Sequence, residues 1–187
     1  MLPRTRIIDA DTLRQRLVGS RIARPEDIAG CSGEEILDLQ QSLGPLPDSY
    51  KIVLGVIGHR AGRLVDDREL WIYADQLEKV RRLACEQIRD DGAPDDDFVP
   101  EDAVFIGARY GEHPWFIRGG EEADSPVWSC NTDTGRVALI GLSVWDWVEA
   151  IVRDAETFIE KGLPEQNARR ANGPTPAPKR GFRAWTF

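Results

Sequence analysis

The sequence is poor in the residues that build disulfides and metal sites. It has 3 cysteines and 2 histidines in 187 residues. Cys31, Cys85 and Cys130 are far apart and odd in number, which is typical of reduced, packed thiols rather than of a disulfide framework. The cysteines and histidines also lack the close pairing in sequence that zinc ligands usually show. We therefore expect no metal and no cofactor.

Long apolar segments are absent as well. No stretch of eighteen or more apolar residues occurs, so no transmembrane helix is expected. The N-terminus has basic residues but no apolar core and no cleavage site of a signal peptide. The sequence predicts a cytoplasmic protein with no membrane partner.

The common catalytic motifs are also missing. There is no GxSxG elbow, and the segment 107–111 (Gly-Ala-Arg-Tyr-Gly) is neither a dinucleotide fingerprint nor a phosphate loop. Both histidines, His59 and His113, lie beside turn residues. We expect no enzyme activity and no catalytic residues. A hydrolase or transferase whose site assembles from distant positions stays open as an alternative, with these histidines as its candidates.

The charge is unevenly distributed along the chain. Residues 161–187 carry +5, and the first 160 residues carry −13, which together give the net −8 of the whole chain. An acidic body repels nucleic acid phosphates and attracts basic protein partners. Acidic balance also improves solubility, and that explanation remains open.

Apolar spacing and capping residues predict five helices. A capping box at Ser32 and Glu35 begins a helix over 33–43, and Gly44 ends it. The segment 48–57 is predicted as a helix, although its Val and Ile content leaves a strand open. The other predicted helices are 9–19, capped by Asp9 or Asp11, about 75–89, begun by a capping box at Asp75, and 143–161, capped by Ser143.

After an acidic loop the apolar period changes from 3.6 to 2. Short turns separate four predicted strands, which implies an antiparallel meander: 103–109, 114–118, 126–130 and 136–141. Shorter extended pieces are predicted at 64–65 and 69–73. The fold class is α+β, with N-terminal helices, a mainly sequential antiparallel sheet and a C-terminal helix packed on the sheet.

The chain is predicted to hold one domain and a tail. Residues 1–162 form the domain, and residues 163–187 form a proline-rich basic tail that is flexible or extended. The tail ends in three aromatics, which dock either on the acidic body or on a partner: Phe182, Trp185 and Phe187.

Residues 28–51 resemble the opening of the SUKH superfamily. The resemblance rests on an acidic helix start, a Leu-Gly helix end and a Leu-Pro-x-x-Tyr-Lys turn into the next helix: Glu34, Glu35, Leu43, Gly44, Leu46, Pro47, Tyr50 and Lys51. It covers about residues 26–160. The sequence departs from the family pattern after that turn, where it has no Phe-Leu pair and no Asn-Gly. The resemblance implies a shared binding cleft without catalysis, and bacterial members are largely immunity proteins encoded beside polymorphic toxins.

These observations predict an immunity protein that occludes the active site of a toxin, such as a nuclease or another nucleic-acid-modifying enzyme. A regulatory or scaffold module that binds proteins of its own cell is the alternative. Loop position and charge select the candidate contacts, with an aromatic anchor among them: Asp95, Asp96, Asp97, Glu121, Glu122, Asp124, Tyr110 and Trp115. The oligomeric state stays open.

Overall fold

The protein has an α+β fold, which confirms the predicted class. The computed structural model describes residues 6–65, 70–90, 99–109, 113–120, 122–132 and 136–171. The helices are α1 (Ala10–Gly19), α2 (Gly33–Leu43), α3 (Asp48–Ile57), α4 (Ala74–Asp90) and α5 (Val144–Ala171), with a 3₁₀ turn at Pro25–Asp27. The strands are β1 (Ile28–Ala29), β2 (Arg60–Ala61), β3 (Leu70–Trp71), β4 (Ala103–Arg109), β5 (His113–Arg118), β6 (Val127–Cys130) and β7 (Val137–Gly141).

Side-chain caps fix the helix starts much as the sequence predicts. The Asp9 carboxylate accepts the Thr12 N–H at 2.8 Å, and Ser32 and Glu35 form the predicted capping box of α2. The helix predicted over about 75–89 is confirmed as α4, with its start one residue earlier than Asp75. This helix begins at Ala74, because the Gln76 side chain accepts the backbone N–H of Tyr73 at 3.1 Å.

The larger sheet is an antiparallel meander in the order β3-β4-β5-β6-β7. Its last four strands match the predicted ones to within one residue at each end. The extended piece expected at 64–65 is wrong, since Leu64 donates its N–H to the Ala61 carbonyl in a turn that contains Gly62 at a φ of 57°. The small sheet of β1 and β2 was not predicted.

Helices cover both faces of the sheet. On one face α4 packs over β3 and β4, with Val80 and Ala84 against Phe105. On the other face α1, α3 and α5 form the main core. There Trp147 of α5 meets Trp115 of β5 edge to face, with ring centroids 5.8 Å apart. The expected packing of the last helix on the sheet is therefore present.

A buried ion pair joins the first and last helices. Arg16 of α1 is 7% exposed and Glu156 of α5 is 3% exposed. The Arg16 Nη2 donates to Glu156 Oε2 at 2.9 Å, the Arg16 Nε also donates to the same carboxylate, and Glu149 lies 3.4 Å from the guanidinium. Two elements that are distant in sequence are thus held together by charged contacts.

The last helix continues beyond its predicted end. It runs to Ala171 and crosses residue 162, where we placed the end of the domain. The first nine residues of the expected flexible tail are therefore helical, although Pro164 removes one hydrogen-bond donor from the ladder. The terminal aromatics lie outside the described residues. Among the described residues, no helix has the length and apolar character needed to cross a bilayer.

Candidate functional site

The structure describes three of the eight residues that are predicted to contact a partner: Trp115, Glu122 and Asp124. The other five, Asp95, Asp96, Asp97, Tyr110 and Glu121, lie outside the described residues. Trp115 is only 9% exposed and packs against Trp147. Its place in the core corrects its interpretation as a surface anchor, because a partner could reach its ring only if α5 moved away.

Asp124 has an internal role rather than the expected surface role. One of its carboxylate oxygens accepts hydrogen bonds from the Ser49 hydroxyl at 2.7 Å and from the backbone N–H of Val144 at 3.0 Å. The carboxylate therefore joins the starts of α3 and α5, where helix dipoles favour a negative charge. Its neighbour Glu122 is exposed, as predicted, although its backbone carbonyl accepts the Asp48 N–H.

An exposed apolar patch lies on β7, the last strand of the sheet order, and on the residue that follows this strand. Leu139, Ile140 and Leu142 are 46%, 41% and 76% exposed, and we call these three residues the β7 patch. Trp128 of β6 pairs with Leu139, but the next pair is Val127 with Gly141, so Ile140 is an extra residue in β7. This bulge turns apolar side chains of adjacent residues toward solvent.

The β7 patch continues a row of apolar side chains that crosses the sheet. Phe105, Phe116, Trp128 and Leu139 are paired in succession across four strands. The first two are 4% and 1% exposed, Trp128 is half-buried, and Leu139 is largely exposed. Because α4 packs over β3 and β4, the β7 end of this row is open. Apolar surface that reaches the edge of a sheet in this way is typical of an interaction site.

Helix α2 presents an acidic outer face. Its eleven residues include Glu34, Glu35 and Asp38 and no basic residue, and Leu37 among them is 60% exposed. Only Leu43 of this helix is fully buried. The helix therefore contributes much of its charge to the surface and little to the core.

A groove opens between α1 and α3. It has a volume of about 550 Å³, and Val18, Ile28 and Val56 give it an apolar lining, with Arg14 and Gln15 among its polar residues. Gly30 lies at its floor, where β1 approaches the backbone of α3. The groove can accept an apolar side chain or a small apolar ligand, and its lining residues, as far as the structure describes them, include no acid and no nucleophile.

Three potential metal ligands meet near the start of α2. The Cys31 sulfur, a Glu35 carboxylate oxygen and a His59 ring nitrogen all lie within 4.8 Å of one another, and Glu35 Oε1 is 3.0 Å from His59 Nε2. Cys31 is buried, whereas the side chains of Glu35 and His59 are 48% and 41% exposed. We call these three residues the Cys-Glu-His cluster. It contradicts the expectation that the cysteines and histidines of this chain are isolated.

The electrostatics of the cluster oppose a free thiolate. Burial, together with the negative charges of Glu35 and Asp75, raises the pKa of the Cys31 thiol to about 11. The backbone N–H of Ser32, then the Ser32 hydroxyl and His59, lower the pKa of Glu35, which therefore stays ionised. A neutral thiol beside a carboxylate is not an activated nucleophile, because reactivity requires the thiolate.

Sequence reasoning missed the cluster because its members belong to three different elements. Cys31 follows β1, Glu35 lies in the first turn of α2 and His59 follows α3. The available signal was the capping box, which places Glu35 one helical turn from Cys31. No family model and no curated protein matches this chain.

Proposed function

We propose that this chain is a non-catalytic protein-binding domain, and specifically an immunity protein that neutralises a bacterial toxin by occluding its active site. The resemblance of residues 28–51 to the SUKH superfamily supports the class. In that segment α2 and α3 form a helix pair joined at Pro45 and Pro47, as the resemblance implies. In this role the protein acts by binding through its surface, and it catalyses no reaction.

The β7 patch is the structural observation that best supports a binding function. Three of the eight large apolar side chains that stand exposed among the described residues fall within four residues of each other here. Burying an aliphatic side chain of this size stabilises a complex by about 1.5–3 kcal/mol before ordering costs, so the patch can provide the anchors of an interface. It faces solvent on the strand that ends the sheet, where no other described strand competes for it.

The negative charge of residues 1–160 favours a partner with a basic surface. Residues 1–160 carry −13, and α2 contributes an acidic face without a basic residue. Such a field accelerates encounter with a basic protein and disfavours an acidic one. A toxin that acts on nucleic acid needs a basic substrate channel, and an acidic protein seated over that channel would exclude the substrate. We therefore place a basic protein surface against the β7 patch.

The first experiment co-expresses the chain with the product of the adjacent gene. We expect a one-to-one complex in which the toxin loses activity, measured by size-exclusion chromatography with light scattering and by a nuclease assay. If the purified neighbouring product does not bind, the proposal is wrong. A complex in which that product keeps its activity would favour the scaffold alternative instead.

A matched pair of variants tests the β7 patch. Leu142→Asp puts a charge at the most exposed patch residue, and we expect affinity for the neighbouring gene product to fall by at least about tenfold, measured by calorimetry. The control Phe158→Asp changes a side chain that is 56% exposed on α5, near β3 at the other edge of the sheet, and should bind like the unchanged protein. Equal binding by both variants, or a stable dimer of the chain alone, would contradict this placement.

A further inference from the structure

We propose that Cys31, Glu35 and His59 form a binding site for a zinc ion. Among the described residues they are the group of three whose thiol, carboxylate and imidazole atoms come close enough to share one ion. Around a tetrahedral zinc, two ligand atoms lie about 3.3–3.6 Å apart, given metal–ligand distances of about 2.0–2.3 Å. The 3.0 Å between Glu35 and His59 needs only a small widening to reach that geometry.

The backbone around the cluster holds each ligand in place. Glu35 Oε2 accepts the Ser32 N–H at 2.7 Å, which leaves Oε1 directed toward His59. The backbone N–H of Cys31 donates to the Leu54 carbonyl, and that of His59 donates to the Ala29 carbonyl, each at 2.9 Å. These contacts anchor all three positions on β1, α2 and α3, so binding would require little ordering of the chain.

Gly58 makes room for the sulfur. A Cβ at this position would lie 2.3 Å from the Cys31 sulfur, far inside any allowed contact. Gly58 has a right-handed conformation, with φ −57° and ψ −26°, so the backbone itself does not require glycine. A Cβ would also lie 2.5 Å from the Leu54 carbonyl oxygen, so the absent side chain leaves room both for the Cys31 thiol and for the last turn of α3, beside His59.

The ligand types and the negative charge around them favour zinc. Thiolate and imidazole favour zinc over magnesium or calcium, which prefer oxygen ligands. The carboxylates of Glu35 and Asp75 both act on Cys31, so the site attracts a dication. On binding, the Cys31 thiol releases its proton to water, and the His59 ring donates the lone pair of Nε2 to the ion. Three protein ligands, two of them half-exposed, leave the fourth position open to solvent.

Cobalt(II) is the probe for the test, because cobalt bound to a thiolate absorbs in the near ultraviolet. We expect the reduced full-length chain to bind one equivalent, to develop this band and to lose it when zinc is added. Glu35→Gln preserves the capping box but removes the charge, and His59→Gln changes a half-exposed side chain. Each should weaken cobalt binding by at least about tenfold. Cys31→Ser should abolish the band.

The chain offers matched controls outside the cluster. Cys85→Ser and His113→Gln change the same residue types elsewhere, and they should bind cobalt like the unchanged protein. The inference is overturned if millimolar cobalt gives no thiolate band, or if the band survives in Cys31→Ser and His59→Gln. Neither outcome involves the toxin partner, so the result is independent of the proposed function.

Discussion

Single residues in this protein show how strongly burial changes the value of a charge. Arg16 and Glu156 lie in the core between α1 and α5, where the charges must be satisfied by protein groups because water is excluded, and Glu149 also lies 3.4 Å from the guanidinium. Arg118 and Asp102 are also paired, at 2.8 Å, but their side chains are 60% and 44% exposed. The two ion pairs are similar in chemistry and should differ widely in their effect on stability.

Glu156→Ala should lower the free energy of unfolding by about 3 kcal/mol, the lower end of the range for a broken buried pair. The buried Arg16 guanidinium loses the carboxylate that accepts two of its hydrogen bonds and keeps only Glu149, at 3.4 Å, as a nearby acid. Asp102→Ala breaks the exposed pair and should cost less than about 1 kcal/mol. Urea denaturation followed by circular dichroism measures both. Equal losses would mean that the buried pair contributes no more than a surface contact.

The roles of single residues were harder to predict than the helices and strands that carry them. The sequence identifies Asp124 as an acid in a loop, but only the fold shows that it faces the starts of two helices. Trp115 was selected as an anchor because tryptophan is frequent at interfaces, and the same large apolar ring is equally suited to the core that it occupies. Residue type alone cannot separate these outcomes, because the difference depends on which elements pack nearby.

At the scale of elements, local signals predicted most of the structure. Caps and apolar spacing located α2 within a residue, and period-2 patterns located β4 to β7. The two-residue strands β1 and β2 were missed because two residues carry no period. The chain just after β1 packs closely on α3. Such a close approach between two backbones leaves no room for a Cβ, so its one sign in the sequence is a glycine, here Gly30.

Gly30 and Gly55 test that close approach. A Cβ on Gly30 would lie 2.0 Å from the Gly55 carbonyl oxygen, whereas a Cβ on Gly55 would meet nothing within 4 Å. Gly30→Ala should therefore destabilise the protein by more than about 2 kcal/mol or prevent folding. Gly55→Ala lies inside α3 and should stabilise it by about 0.5–1 kcal/mol. Thermal unfolding distinguishes the two, and similar effects would show that β1 does not sit against α3 as described.

At the scale of the whole molecule, charge and topology act in different ways. Net charge was readable from the sequence, and it determines which partners approach. The Cys-Glu-His cluster was not readable, because 24 positions separate Glu35 from His59 and the return of the chain after α3 brings them together. Long-range juxtaposition of this kind depends on helix packing, for which a single sequence gives no direct signal.

The basic residues at the end of the chain should slow association with a basic partner, because they offset part of the acidic charge of the body. Deleting residues 172–187 removes three bases and no acid, which changes the net charge from −8 to −11. Association with a basic neighbouring gene product should then become faster, and more so at low salt, because screening is weaker there. Stopped-flow mixing at low and high salt measures the rate. If the deletion abolishes binding, the tail rather than the β7 patch holds the partner.

The Trp115–Trp147 contact should give a spectroscopic signal that depends on the packing of α5 against the sheet. One indole stands on the sheet and the other on α5, with their rings 5.8 Å apart and tilted by 78°. Two chromophores at this separation couple their electronic transitions and produce a paired band of opposite signs in the far-ultraviolet dichroism. That doublet would vanish when α5 leaves the sheet, even if every helix stayed intact, so detachment of the last helix can be followed without any label.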